Sequence, residues 1–511
     1  MANQAAIGRR SHAVARRWRR TTPRQPMRRT TPARSTVAQL AAAARDVMVP
    51  TKVDKLDLRE VGDSWEKRHE IGRQLRAQTP REAHAQWSPP KGRPDPVSIV
   101  QRTNEGRQAE LVPLRMGRMA ASPFAFLRGA AAVMACDLAQ GPSSGLHVVI
   151  DGDAHCTNFG LFGTPEHDVV FDLNDFDEAT IGPWGWDLKR LAASINVSGR
   201  ENGLNRRERR RAVMECARGY RWNMDRLQSI SVTDMWSLDT VADRIDPKVV
   251  KVPVKTEAIL QKAVAKARGQ TNATLLAKVA ERTSNGAWRL KEDPPIMTPV
   301  TAETRERVVD ALHAYGDTLP HHRRYMLNRY HVVDVANRVV GVGSVGTRAY
   351  LVLLLGNSDN DPLFLQVKEA TVPAHAPYVP PLPEGYSHQG KRVVHGQHLL
   401  QAVGDPLLGW TQIDGRPFYV RQMKNMKGSI PTQWLSGEPV NFASWAYGAL
   451  LARAHARTGD AAVVAGYLGN SDVYDSAIAD WAEAYGDQTE RDHAALVRAI
   501  KSGRVKAIQG V

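Results

Sequence analysis

Two clusters of carboxylates and amides, one short strand apart, are the residues of this chain best suited to chemistry. Leu146 to Ile150 is an apolar run that reads as a buried strand, and it leads into the polar turn DGDAHCTNFG, with Asp151, Asp153, His155 and Asn158. A second run, Val169 to Phe171, leads into Asp172, Asn174, Asp175, Asp177 and Glu178. Strands that end in carboxylates bring negative charge to one edge, where repulsion is costly unless a cation is held there. Oxygen ligands of this kind favour magnesium over zinc. Taken as Asp153, His155, Asp172 and Asp175, the same residues would also suit a metal-dependent phosphohydrolase.

Spacing narrows the chemistry. Asp153 and Asn158 stand as D-x-x-x-x-N, the arrangement in kinase catalytic loops of a base followed by a metal-binding asparagine. Asp175-Phe176 follows the second strand, where kinases keep the aspartate of their metal motif. GDAHCTNFG followed by NDFDEATIGPWGWDLKRLAAS resembles the catalytic segment of aminoglycoside and choline phosphotransferases. That segment usually reads H-G-D-x-H-x-x-N, then I-D-F or I-D-W, then G-D-P-x-x-D-L-A. Over roughly residues 50 to 490 the chain also resembles an uncharacterised bacterial family, domain of unknown function 2252. The phosphotransferase resemblance implies that Asp153 orients and deprotonates an acceptor hydroxyl while His155 braces the loop. It implies Asn158 and Asp175 as magnesium ligands, with Asp177 helping to hold a second ion.

The elements that would complete such a site lie far downstream. After Tyr330 the chain reads as strand, glycine turn, strand, polar hairpin, strand. Gly341, Gly343 and Gly346 form G-x-G-x-x-G with Ser344 inside it. A dinucleotide-binding turn must open into a helix, whereas Arg348 to Leu355 is β-branched or apolar and reads as a strand. Strand–glycine turn–strand is the kinase arrangement, with backbone N–H groups folded over phosphates. Lys368 in LQVKEA then matches the kinase lysine that holds the α- and β-phosphates. RVVHGQHLLQAVGDPLLGW has helix period but lacks the glutamate that pairs with this lysine; Glu369 and Glu384 are the nearest acids. RPFYVRQMKNMKGS resembles the strand and hinge facing adenine, which places Arg421 and Met423 at the nucleotide. Upstream, Arg115, Arg118 and Arg128 either grip phosphate or pair with surface acids.

Composition sets the outer bounds. The net charge of +16 is concentrated in residues 1–50, where eleven arginines face one acid, Asp46. Such a segment is expected to be disordered, with contact to nucleic acid or an anionic surface as a minor alternative. The basic helix around Arg206 to Leu227 is expected to present a solvated face. No apolar run approaches the roughly 18 residues of a membrane span. Cys136, Cys156 and Cys216 are too scattered for a disulfide framework or zinc knuckle, which fits a reducing cytoplasm. Cys156, inside the catalytic turn, is expected to react with thiol reagents.

Together these features predict an α+β, protein-kinase-like fold of two lobes, one largely helical and one a small antiparallel β lobe, in circularly permuted order. Residues 1–50 form the basic tail and 51–330 the helical lobe with the catalytic and metal loops. Residues 331–430 form the glycine-loop lobe and hinge, and 431–511 are helices returning to the helical lobe. The expected activity is transfer of the ATP γ-phosphate, with magnesium, to a hydroxyl of a small-molecule acceptor. A phosphohydrolase and a nucleotide-binding pseudokinase are the alternatives.

Overall fold

A computed structural model of the chain describes residues 63–238, 251–339, 341–382, 384–423 and 426–508. The basic segment 1–50 lies outside the described residues. Four short strands frame the two acidic turns: β1 (His147–Ile150), β2 (Phe159–Gly163), β3 (Val169–Leu173) and β4 (Thr180–Pro183). β1 pairs antiparallel with β4 and β2 with β3, so the turn 151–158 and the turn 174–179 emerge side by side.

The long helix Trp184–Glu201 follows β4 directly and is buried along nearly all of its length. Around it pack helices Arg206–Leu227, Glu438–Ala456 and Val473–Lys501, while Ala461–Leu468 packs on Arg206–Leu227. Helix Arg206–Leu227 starts at a capping box: the Asn205 side chain accepts from Glu208 N at 3.1 Å, and Glu208 accepts from Asn205 N at 2.8 Å. Val213, Cys216, Ala217, Tyr220 and Met224 form its buried stripe. Gly219 lets it lie against the next helix, since a β-carbon there would sit 2.1 Å from the Trp445 carbonyl oxygen.

The arginine face of this helix is not simply solvated, as its period suggested. Arg209 Nη2 lies 2.6 Å from Glu483 Oε1, and Arg221 Nη2 lies 2.8 Å from Asp475 Oδ2, both acids on the C-terminal helix. Those partners are hundreds of positions away, so one helix read alone could not reveal them.

The second half of the fold is a sheet. A hairpin of β5 (Ala280–Arg282) and β6 (Trp288–Leu290) precedes β7 (Met297–Pro299). β8 (His331–Arg338), β9 (Ala349–Leu355), β10 (Pro362–Glu369), β11 (Gly409–Ile413) and β12 (Arg416–Gln422) follow. Strands β7 to β12 form one antiparallel sheet in the order β11-β12-β10-β9-β8-β7. It begins at Met297, before the boundary read at 331, because a three-residue edge strand carries too little alternation to be seen. Val352, Leu354, Leu365, Val367 and Val420 pack one face against helix Ala302–Gly316. Leu351, Leu353 and Phe364 pack the other under helix Asn272–Val279. By strand alternation Lys368 shares this second face with Phe364, and it pairs across the ladder with Ala349 and Tyr419. The result is a mixed α+β protein with small antiparallel sheets. Among the described residues, no helix is long and apolar enough to cross a membrane.

Candidate active site

Asp153 ends the turn that β1 delivers. Its backbone support comes from Asp187, whose carboxylate accepts from Asp151 N at 2.7 Å and Gly152 N at 2.9 Å. Asp187 is braced in turn by His455 Nε2 at 3.1 Å, and His455 Nδ1 meets Tyr220 OH at 2.8 Å. Asp153 itself is gripped through one oxygen: Arg190 Nε donates to Oδ1 at 2.9 Å, while Arg190 also donates to Leu127 O at 2.8 Å. Oδ2 is left for the cleft, with His155 Nε2 at 3.8 Å. Burial pushes the Asp153 carboxyl up to about 7, against the pull of Arg190. Burial holds His155 well below its usual range, and the nearby Arg128 and Arg190 add to this, so its ring is neutral. Its Nδ1 contacts Thr157 Oγ1 at 2.9 Å, which suits a bracing role.

Asn158 donates from Nδ2 to Asp153 O at 2.8 Å, and its own carbonyl accepts from Asn174 N at 2.9 Å. The two acidic turns are thereby tied together. Asp172 faces away: Arg453 Nη2 lies 2.6 Å from Oδ1, and Ala402 N donates to Oδ2 at 2.8 Å. Asp175 stands in contrast. Its Oδ1 is buried with no hydrogen-bond partner and lies 3.8 Å from Lys368 Nζ.

Asp177 answers a gap left by the sequence. The helix Gln389–Leu400 has no acid for Lys368; instead its Arg392 donates to the Asp177 carbonyl at 2.7 Å. The side-chain partner of Lys368 is Asp177 Oδ2, and Tyr419 OH donates to Asp177 Oδ1 at 2.8 Å. Burial alone would raise the Asp177 carboxyl, but Lys368 and Tyr419 bring it below its usual value. Asp177, expected as a ligand of a second ion, therefore has both oxygens engaged. Glu369 is also occupied, by Arg348 and Arg416 at 3.1 Å each.

Asp153, His155, Asn158, Asp175, Asp177 and Glu178 line one cleft of about 110 Å3, roofed by Gly341, Gly343 and Ser344. Ser344 Oγ donates to Asp177 Oδ2 at 3.4 Å. Gly341 and Gly346 have φ of +66° and +88°, backbone that favours glycine and that turns the chain sharply between β8 and β9. Gly346 O accepts from Gln108 N at 2.8 Å, and Arg118 donates to Gly341 O at 2.9 Å, so the segment before β1 fixes the turn from outside.

Arg421 and Met423 are not brought to this cleft. Arg421 turns behind the acidic loop and donates to Asn174 O at 3.0 Å. Met423 N donates to Phe364 O at 2.9 Å, and its side chain packs with Leu351, Leu353 and Phe364 under Leu275 and Leu276. The apolar strip of the sheet beside the hinge is thus filled by the chain's own helix. A drug-sized ligand needs a pocket of roughly 300 Å3 or more. The cleft has room for phosphate groups but not for a whole nucleotide.

The donor set fits magnesium in a restricted way. Among the described residues, no group of three His, Cys, Asp or Glu is placed to hold a metal. Magnesium needs less: it is commonly bound through one or two protein carboxylates, with substrate phosphates and water completing the shell. The orphaned Asp175 oxygen is such a carboxylate, and Asn158 lies beside it.

Arg190 escaped the sequence reading, since it looks like one more basic residue of WDLKRLA; Asp187 was part of the motif, but its bracing role was not. Asp151 is fully buried with both carboxylate oxygens unpartnered, and burial beside Asp187 and Asp153 raises its carboxyl well above the usual range. Cys156 corrects an expectation: it is buried against Ser194, and burial pushes its thiol up to about 11, so it is not a reactive thiol. No curated protein and no solved structure matched the chain. A family described as an uncharacterized protein conserved in bacteria (DUF2252) matches residues 107–499, and the chain belongs to that family.

Proposed function

We propose that this chain is a kinase-like phosphotransferase of circularly permuted order, moving the γ-phosphate of ATP, with magnesium, to a hydroxyl of a small molecule. One observation carries the reading. Lys368, in the middle of an antiparallel sheet and just after a glycine turn, meets the acidic loop that lies 191 positions earlier in the chain. Glycine turn, lysine strand, helix and two further strands follow one another as in a kinase small lobe. The catalytic and metal loops precede them instead of following, which is the order a permutation would give.

On this reading Lys368 and the N–H groups of Gly341, Gly343, Ser344 and Gly346 hold the phosphates. Asp175 and Asn158 would hold magnesium, whose positive charge would offset the charge that develops during transfer. Asp153 Oδ2 accepts the proton of the acceptor hydroxyl, while Arg190 keeps Oδ1 fixed. Asp177 holds Lys368 in place of a helix glutamate. Arg421 and Met423, read from sequence as nucleotide contacts, take no part in this arrangement.

The phosphohydrolase reading loses Asp172, which is committed to Arg453. A nucleotide-binding pseudokinase remains the second reading, favoured by helix Gln389–Leu400 carrying no acid for Lys368. A pH profile separates the two. A protonated Asp153 cannot accept a proton, and its carboxyl titrates at about 7. The kcat/KM of the slow ATPase reaction, with water standing in for the acceptor, should fall about tenfold per pH unit below that value and level off above it. Arg190→Gln removes the group that pulls the carboxyl down, so its break should move to higher pH. A profile without a break in this range would take Asp153 out of the role.

A further inference from the structure

Arginines crowd the cleft as well. Arg115, Arg107 and Arg128 all line it together with Asp153 and His155. Among the described residues none of the three has a carboxylate at ion-pair distance. Arg107 donates to Thr103 O and Val345 O, and Arg115 to Asn104 Oδ1 and Gly129 O, all neutral acceptors. Arg115 is 2% exposed. The Nε atoms of Arg115 and Arg128 are buried with no hydrogen-bond partner.

Guanidinium groups stay charged in proteins, and burying a charge without a counter-ion is costly. Burial, with Arg107 adding repulsion, pulls Arg115 well below its usual range, and the charge of Glu178 offsets this only in part. Surface pairing, the other fate open to these residues in the sequence, does not occur for Arg115 or Arg128. The helix Pro123–Gly129 that carries Arg128 lies directly against the glycine turn, with the Arg128 carbonyl oxygen 3.5 Å from where a β-carbon of Gly343 would stand. All three arginines belong to the segment before β1 and none to the sheet.

We infer that Arg128 and Arg115, with Arg107 behind them, form an anion subsite for the acceptor, so that the hydroxyl compound phosphorylated here carries a phosphate or carboxylate group of its own. This rests on the reading of Asp153 as the acceptor's base. A planar guanidinium fork suits either anion, and a charged handle bound a few ångströms from Asp153 would hold the hydroxyl in reach of Oδ2. Neutral polyols and cationic amino sugars lack that handle.

Calorimetric titration of the full chain tests it, with inorganic phosphate in one arm and acetate in the other. Each is run with and without a saturating non-hydrolysable ATP analogue and magnesium. We expect one anion to bind with the analogue in place, at least tenfold more weakly in Arg128→Gln and with partial recovery in Arg128→Lys. The tighter of the two anions names the handle. Arg128 is half-buried and bonded to nothing, so its loss should leave the thermal midpoint unchanged; Arg115, more deeply set, is left intact. Equal anion affinity in wild type and Arg128→Gln would overturn the subsite. Displacement of the anion by the analogue would also overturn it, assigning the arginines to the nucleotide instead. A chain that binds no analogue yet binds the anion through Arg128 would sink the nucleotide reading and leave the anion subsite standing.

Discussion

Asp153→Asn should leave magnesium-dependent ATP binding intact and lower turnover by about two to four orders of magnitude, the usual cost of a lost general base. The asparagine keeps an oxygen for Arg190 and the shape of the turn, so the change acts on proton acceptance alone. Asp153 is held through Oδ1 and open at Oδ2, and its carboxyl is poised near neutrality. A variant with wild-type turnover would show that no proton passes through this group. A wild type that binds ATP yet shows only the background hydrolysis seen with Asp153→Asn would favour the pseudokinase.

Asp175→Asn should fail differently. Its Oδ1 is a buried acceptor with no partner, so no hydrogen bond of the folded chain depends on it. Removing its charge relieves repulsion with Asp151 and Asp153 but also withdraws the carboxylate 3.8 Å from the buried Lys368 ammonium, which it helps to keep charged. What should be lost is the part of ATP affinity that magnesium supplies. Groups that merely orient metal ligands cost about 10–100-fold in metal affinity when changed, so with a direct ligand gone the affinity for ATP should no longer rise when magnesium is added. Nucleotide titrations with and without magnesium read this directly. A variant that keeps the full magnesium effect would move the metal elsewhere.

The contrast between these aspartates indicates how far the sequence could be read. Asp153, Asn158 and Asp175 were legible because a short apolar strand followed by a polar turn is a local signal, and the turn's spacing carries its own chemistry. Lys368 was legible for the same reason, as the first lysine after a glycine turn between two strands. The meeting of Lys368 with the acidic turn depended on the order of motifs. The groups that hold the site were not legible as such. Arg190 acts across from another element, and only packing distinguishes it from the charges beside it; Asp187 was marked by its motif, but not as the support of the Asp151–Gly152 backbone. Asp177 was misread as a metal ligand because its nearest neighbours in sequence are acids, whereas its partners are Lys368 and Tyr419 on the sheet. Met423 was read as a hinge residue at the nucleotide, but a helix from residues 272–279 covers it. That helix gave no sign in the sequence of where it would dock.

The filled strip bears on dynamics. With Leu275 and Leu276 against Leu351 and Phe364, a purine can stack on the sheet beside Met423 only if helix Asn272–Val279 shifts. The phosphate end of the cleft needs no such movement, since the glycine turn is fixed from outside by Gln108 and Arg118.

The central claim is that the cleft between Lys368 and Asp175 receives the triphosphate of ATP together with magnesium. Calorimetric titration of ATP into the full-length wild-type chain, with and without magnesium, tests it most directly. The account predicts one equivalent of ATP bound, with affinity at least about tenfold higher when magnesium is present, as a shared carboxylate–phosphate ion requires. No binding at millimolar ATP, or binding of equal strength without the metal, would contradict it.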